Sequence, residues 1–179
     1  INGVPDKPQN LTWILNTSNS ITIEWDARLE NSNKVNQYKI ETRNNSGVFT
    51  LHSSLVMTEQ KIFPEKISKI VNNLSSGVSY DIRIQAINET GSSEYSDIIT
   101  VSTLSSVPSL IESINYLQIF DNKVNLHWFT PNDNGSEIIN YYIDEKNKNS
   151  LGENIIRHII EHTTNFHILD IKTNFTDPI

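Results

Sequence analysis

The chain has 179 residues, a formal net charge of -7, 20% charged residues, 8% aromatics and no cysteine. That acidic balance disfavours nucleic acid or an anionic membrane as main ligand, because both call for a basic surface. The absence of thiols removes disulfides, thiolate metal sites and a cysteine nucleophile.

No apolar run approaches the roughly 18 residues of a membrane helix, so no direct membrane insertion is expected within this chain. The first residue is Ile1 rather than Met, which reads as a piece of a larger protein. Pro5 and Pro8 bracket Asp6-Lys7 and suit the approach to an edge strand, where no ladder donor is needed. Residues 9–15 form the first predicted strand, with Leu11 and Trp13 as inward candidates. After a Ser-Asn-Ser turn, residues 21–25 alternate strictly, with Ile21, Ile23 and Trp25 facing inward and Thr22 and Glu24 outward.

A polar loop over 26–34 leads to a third strand at 35–43, followed by the Asn44-Asn45-Ser46-Gly47 turn. Residues 48–56 read as another strand, and 57–66, with Pro64, as a longer loop. Ile70, Val71 and Leu74 belong to the next strand. Tyr80, Ile82, Ile84 and Ala86 then place four apolar side chains on one face, as a buried central strand requires. A turn at Gly91 precedes a last strand through Ile99, Val101 and Thr103. Seven short strands without a helical period predict an all-β, immunoglobulin-like antiparallel sandwich.

The pattern recurs 103 positions later: Trp25 falls on Trp128, Val35 on Ile138, Tyr38 on Tyr141 and Ile40 on Ile143. A repeat of this length is a domain copied in tandem. The expected organisation is a first domain at 1–104, a short linker at 105–108 and a second domain at 109–179. So short a link favours a semi-rigid arrangement. From Leu74 to Leu169 the offset drops to 95, and Phe175 stands six residues after Leu169 as Tyr80 stands six after Leu74. Two further strands would need about 25 more residues, so the second domain is expected to be C-terminally incomplete. An open strand edge there would allow a strand-exchanged homo-oligomer.

Trp25, Tyr38, Leu74 and Tyr80, with Asn88, Gly91, Ser93 and Ser96 at their spacings, resemble the fibronectin type III family over essentially the whole chain. The resemblance implies two tandem sandwiches whose structural core includes Trp25, Tyr38, Leu74, Tyr80, Trp128, Tyr141, Leu169 and Phe175. It also implies a tyrosine corner at Tyr80, its hydroxyl bonded to upstream backbone. In the second copy Phe175 could fill the core but not make that bond.

His158-Ile159-Ile160-Glu161-His162 spells a zinc-peptidase motif, which requires both histidines on one helical face. The repeat places it in an extended segment, where residues four apart lie about 13 Å from each other and cannot share one metal. Glu24 and Glu41 read as solvated outward positions. No phosphate loop or nucleophile elbow occurs, so no catalytic residue, metal or cofactor is expected. Seven Asn-x-Ser/Thr sequons make Asn10, Asn16, Asn44, Asn73, Asn88, Asn134 and Asn174 candidate glycan acceptors. The implied role is a non-catalytic protein-interaction or spacer segment of a larger protein, extracellular or on the cell surface, of adhesion or receptor type. Its partners would be other proteins and not nucleic acid. The alternatives are a cytoplasmic cytoskeletal or membrane-associated scaffold, and spacer modules of a secreted enzyme.

Overall fold

The computed structural model describes residues 3–29, 33–45, 47–119, 123–147, 154–161, 163 and 166–170. The chain divides into two compact units, Ile1–Ser106 and Val107–Ile179. Phe175 and Asn174, and with them the expectations about the end of the second domain, lie outside the described residues.

Unit one has eight strands: β1 (Thr12–Asn16), β2 (Ile21–Asp26), β3 (Gln37–Asn44), β4 (Thr50–Val56), β5 (Lys66–Val71), β6 (Ser79–Ile87), β7 (Ser92–Tyr95) and β8 (Ile99–Ser102). One antiparallel sheet runs β1-β2-β5; the other runs β4-β3-β6, with β7 and β8 both on β6. Along β2 and β6 buried and partly exposed residues alternate without interruption. That alternation is the pleat: successive side chains leave opposite faces, and only one face is covered.

The inner faces of the two sheets share one core, with Ile21, Ile23, Trp25 and Val71 from the first sheet and Tyr38, Ile40, Ile82, Ile84 and Ala86 from the second. Burying each of these large side chains stabilises the fold by roughly 1.5–3 kcal/mol before entropy is charged. The Trp25 and Tyr38 rings meet edge to face, with centroids 5.0 Å apart and planes at 65°.

Four elements differ from the sequence expectation: the first is β5, which ends at Val71, so that Leu74 follows it in a loop with its N–H on the Asn19 carbonyl. Trp13 is 45% exposed instead of buried: it pairs with the buried Ile23, but β1 is the edge strand of its sheet and has a neighbour on one side only. The third strand begins at Gln37, not Val35: the Gln60 side chain takes both backbone groups of Val35, accepting from its N–H at 3.1 Å and donating to its carbonyl at 2.8 Å. A short extra strand, β7, precedes the expected last one, and between them the Ser96 hydroxyl accepts from the Ile84 N–H in place of a ladder carbonyl.

Unit two contains β9 (Ile114–Ile119), β10 (Lys123–Trp128), β11 (Asn140–Asn147), β12 (Asn154–Glu161) and β13 (Phe166–Asp170). Its ladders are β13-β10-β9 and β11-β12, the same pairings made by the first five strands of unit one. Trp128 and Tyr141 are buried and repeat the edge-to-face pair, with centroids 5.3 Å apart and planes at 68°. Leu169 lies in β13 opposite Val124, the register position that Val71 holds opposite Ile21.

Candidate interaction surface

The outer face of the β3–β6–β7 sheet carries unit one's densest polar and aromatic cluster. Register places Glu41 opposite Arg83 and Arg43 opposite Asp81, with Lys39 opposite Gln85, which in turn pairs with Tyr95. Opposite charges on directly opposed residues of adjacent strands attract as cross-strand pairs. The Arg83 guanidinium is sandwiched between two rings, 4.0 Å from the Phe49 centroid and 3.8 Å from that of Tyr95. Arg43 stacks on the Phe49 ring at 4.6 Å. The result is a cation–aromatic ladder, Arg43–Phe49–Arg83–Tyr95, lying across four segments of chain.

Glu41 sits beneath this ladder and is 6% exposed, which corrects the reading of it as a solvated outward carboxylate. Its Oε2 accepts from Arg83 Nε at 3.0 Å and Nη2 at 2.7 Å, while Oε1 accepts from the Tyr95 hydroxyl at 2.9 Å. Lys39 Nζ lies 2.9 Å from Oε1. Burial alone would raise the carboxyl pKa, but the hydrogen bonds from Lys39, Arg83 and Tyr95 outweigh it and lower it to about 2. Asp81 is likewise lowered, first by the Thr100 hydroxyl and then by Arg43. These acids stay ionised and engaged near neutral pH, which suits a rigid surface rather than proton transfer.

A second concave feature, an open groove of about 650 Å³ at one end of unit one, is lined by Pro8, Asn10, Asp26, Arg28, Tyr38 and Phe63 among others. Asp26 at its wall is paired with Lys66 Nζ at 2.5 Å and accepts from Asn10 Nδ2 at 2.7 Å. The Lys66 bond, then that from Asn10, holds its pKa below the ordinary value.

The residues singled out from the sequence are distributed by role. Trp25, Tyr38, Leu74 and Tyr80 are all buried in one cluster. The Tyr80 hydroxyl accepts from the Ser75 N–H at 2.9 Å. Asn88 Oδ1 accepts from the N–H groups of Thr90 and Gly91, closing the turn in which Gly91 adopts φ +153°. Ser93 and Ser96 accept with their hydroxyls from the N–H groups of Ala86 and Ile84, both at 3.0 Å. They supply acceptors to β6 where the last strand breaks away from it.

His158 and Glu161 lie in the extended strand β12, with His158 Nε2 3.2 Å from Glu145 Oε2, and His162 falls outside the described residues. Among the described residues, no three histidine or carboxylate side chains converge as a metal site would need. The ladder itself was missed by sequence reasoning. Its only local signal is the outward arginine at the centre of β6, two residues after Asp81 on the same face.

Comparison with known proteins agrees with this architecture. A solved structure, chicken CNTN1 FN1-FN3 domains, superposes with a TM-score of 0.65 at 14% identity, covering 96% of this chain and 57% of that one. The cell adhesion molecule Dscam1 of Drosophila melanogaster is 24% identical over 102 residues, covering 57% of this chain and 5% of that protein. The striated-muscle M-protein of Gallus gallus is 26% identical over 150 residues, covering 82% of this chain and 10% of that protein. The chain thus spans a tenth or less of the length of these two curated relatives. The family profile for the fibronectin type III domain matches residues 6–102, more than half of the chain, and the protein belongs to that family.

Proposed function

We propose that the chain is a non-catalytic recognition and spacing segment of an adhesion or receptor protein at the cell surface. The coarser role, a protein-interaction or spacer module, is the one its adhesion and muscle relatives share. The observation that carries the proposal is the outer face of unit one. Arg83 is clamped between Phe49 and Tyr95 over a buried Glu41, giving a pre-ordered ridge whose side chains lose little freedom on docking. Aromatic and arginine side chains are the groups that anchor protein interfaces. The likeness to Dscam1, by its name a cell adhesion molecule, supports the surface location.

The likeness to M-protein of striated muscle favours the second reading, a cytoplasmic scaffold. Among the described residues β11 is hydrogen-bonded to β12 alone, whereas its counterpart β3 pairs on both sides, with β4 and β6. That edge would admit a strand from a second copy, so concentration-dependent dimerisation in light scattering is expected; a monomer at all concentrations would discount it. Biotinylation of intact native cells tests the location. Labelled protein supports the adhesion or receptor reading, while protein labelled only after lysis would replace it with the scaffold.

A further inference from the structure

Four sequons, three of them in unit one and the fourth at Asn134, spend the side-chain nitrogen inside the fold. Asn10 Nδ2 donates to Asp26 Oδ2 at 2.7 Å, and Asn16 Nδ2 to the Ser102 carbonyl at 2.7 Å. Asn88 Nδ2 donates to the Gly3 carbonyl at 2.9 Å, and Asn134 Nδ2 to the Val107 carbonyl at 2.8 Å. Each of these amides ties its own segment to a distant one. A saccharide on that nitrogen would crowd the acceptor and compete with the bond.

Asn73 is built differently. It follows β5, is exposed, and among the described residues its side-chain amide has no protein partner. Its backbone adopts φ 59°, a left-handed conformation that it shares with Asn10 and Asn134 and that asparagine tolerates better than most residues. The next two residues hold the loop in place. Leu74 is 8% exposed and its N–H donates to the Asn19 carbonyl at 3.0 Å. Ser75 gives its N–H to the Tyr80 hydroxyl and accepts at its carbonyl from the Thr103 hydroxyl at 2.7 Å, leaving the exposed Ser75 side chain outside both bonds. The tripeptide is therefore fastened through backbone and Leu74, with both sequon side chains in solvent.

We propose that Asn73 is an N-glycan acceptor, and that Asn10, Asn16, Asn88 and Asn134 stay unmodified in the folded protein. The inference rests on the surface-protein reading, which supplies the secretory route. In the transfer, Nδ2 of Asn73 attacks the anomeric carbon of a lipid-pyrophosphate-linked oligosaccharide. The N–C bond forms as the bond from that carbon to the pyrophosphate oxygen breaks. The lipid pyrophosphate leaves with the electron pair, and one amide hydrogen departs as a proton to the transferase's carboxylate base.

The test is to express the full chain behind a cleavable secretory leader in eukaryotic cells and purify the secreted, folded protein. Enzymatic deglycosylation in heavy-oxygen water, followed by peptide mass spectrometry, marks each former acceptor as labelled Asp. Label at Asn73 in most molecules and at none of Asn10, Asn16, Asn88 or Asn134 is expected. A Ser75→Ala variant should lose one glycan's mass while keeping its thermal midpoint, since the Ser75 bonds run through backbone. Bare Asn73, or label at any of the other four, overturns the assignment. Because the leader is imposed, either result speaks to the acceptor geometry; the cell-surface labelling speaks separately to location.

Discussion

Replacing Glu41 by Gln preserves shape and removes the charge on which the outer-face network converges. Glu41 is 6% exposed and receives Arg83 through two nitrogens, Tyr95 through its hydroxyl and Lys39 through Nζ. Burial pushes the carboxyl up, the three donors pull it further down, and its folded pKa falls from 4.5 to about 2. A carboxyl depressed on folding adds stability that is complete above its unfolded pKa and is lost as pH falls through the folded value. The window is therefore about pH 5 down to about pH 2. The interval from 4.5 to about 2 corresponds to an upper value of about 3 kcal/mol at about 1.4 kcal/mol per unit. The Lys39 and Arg83 side chains are 31% and 26% exposed, and solvent screening trims this to about 2 kcal/mol.

The assay is urea unfolding of the full chain at pH 7, 5, 3.5 and 2.5, with hydrogen–deuterium exchange of β3 and β6 amides to isolate unit one. At pH 7 Glu41→Gln is expected to lower stability by about 2–3 kcal/mol, since Arg83 and Lys39 remain partly desolvated without their counter-charge. As the wild-type carboxyl titrates, the two curves should converge, with most of the gap closed by pH 2.5. A constant gap from pH 7 to 2.5 would refute the electrostatic reasoning and leave only a shape defect. No gap at pH 7 would mean the network contributes nothing to the fold.

Trp25→Ala removes a fully buried side chain together with its edge contact to Tyr38, and a loss of about 3–5 kcal/mol in chemical denaturation is expected. Gly91→Ala places a Cβ 3.1 Å from Val4 Cγ1 at φ +153°, so a loss of about 1–2 kcal/mol is expected; a neutral result would show that the turn relaxes. Ser96→Ala strips the hydroxyl that accepts from the Ile84 N–H and is expected to cost about 1–2 kcal/mol, with faster exchange confined to that amide's neighbourhood.

Much of the fold was legible because burial on one face imprints period two on the sequence. Ile21, Ile23 and Trp25, or Tyr80, Ile82, Ile84 and Ala86, could only belong to strands covered on one side. The Trp–Tyr pair was legible a second time because both members recur at 103 positions, and the rings meet at nearly the same distance and angle in both units. Trp13 misled because alternation marks the face a side chain leaves and not how far that face is covered, and β1, paired on one side only, lies at the edge of its sheet. Glu41 misled for a different reason. Its partners Arg83 and Tyr95 lie 42 and 54 residues away, on strands whose register no local pattern specifies. An outward carboxylate that folding will bury looks the same in sequence as one that stays in water.

The same distinction separates what identifies the family from what a partner would recognise. Asn88, Gly91, Ser93 and Ser96 stand at set spacings because the backbone of β6 and the turn after it need acceptors at those points. Tyr80 stands six after Leu74 because its hydroxyl must reach the Ser75 N–H. Such residues are consumed by the fold, and any sequence adopting it meets the same demands. Phe49, Arg83 and Tyr95 answer no backbone demand; their rings and guanidinium stack on one another above the sheet. Arg83 and Tyr95 also satisfy the buried Glu41, a duty that Phe49 does not share. Variation at Phe49 is therefore free to follow a partner, and Phe49→Ala should alter recognition far more than it alters the core.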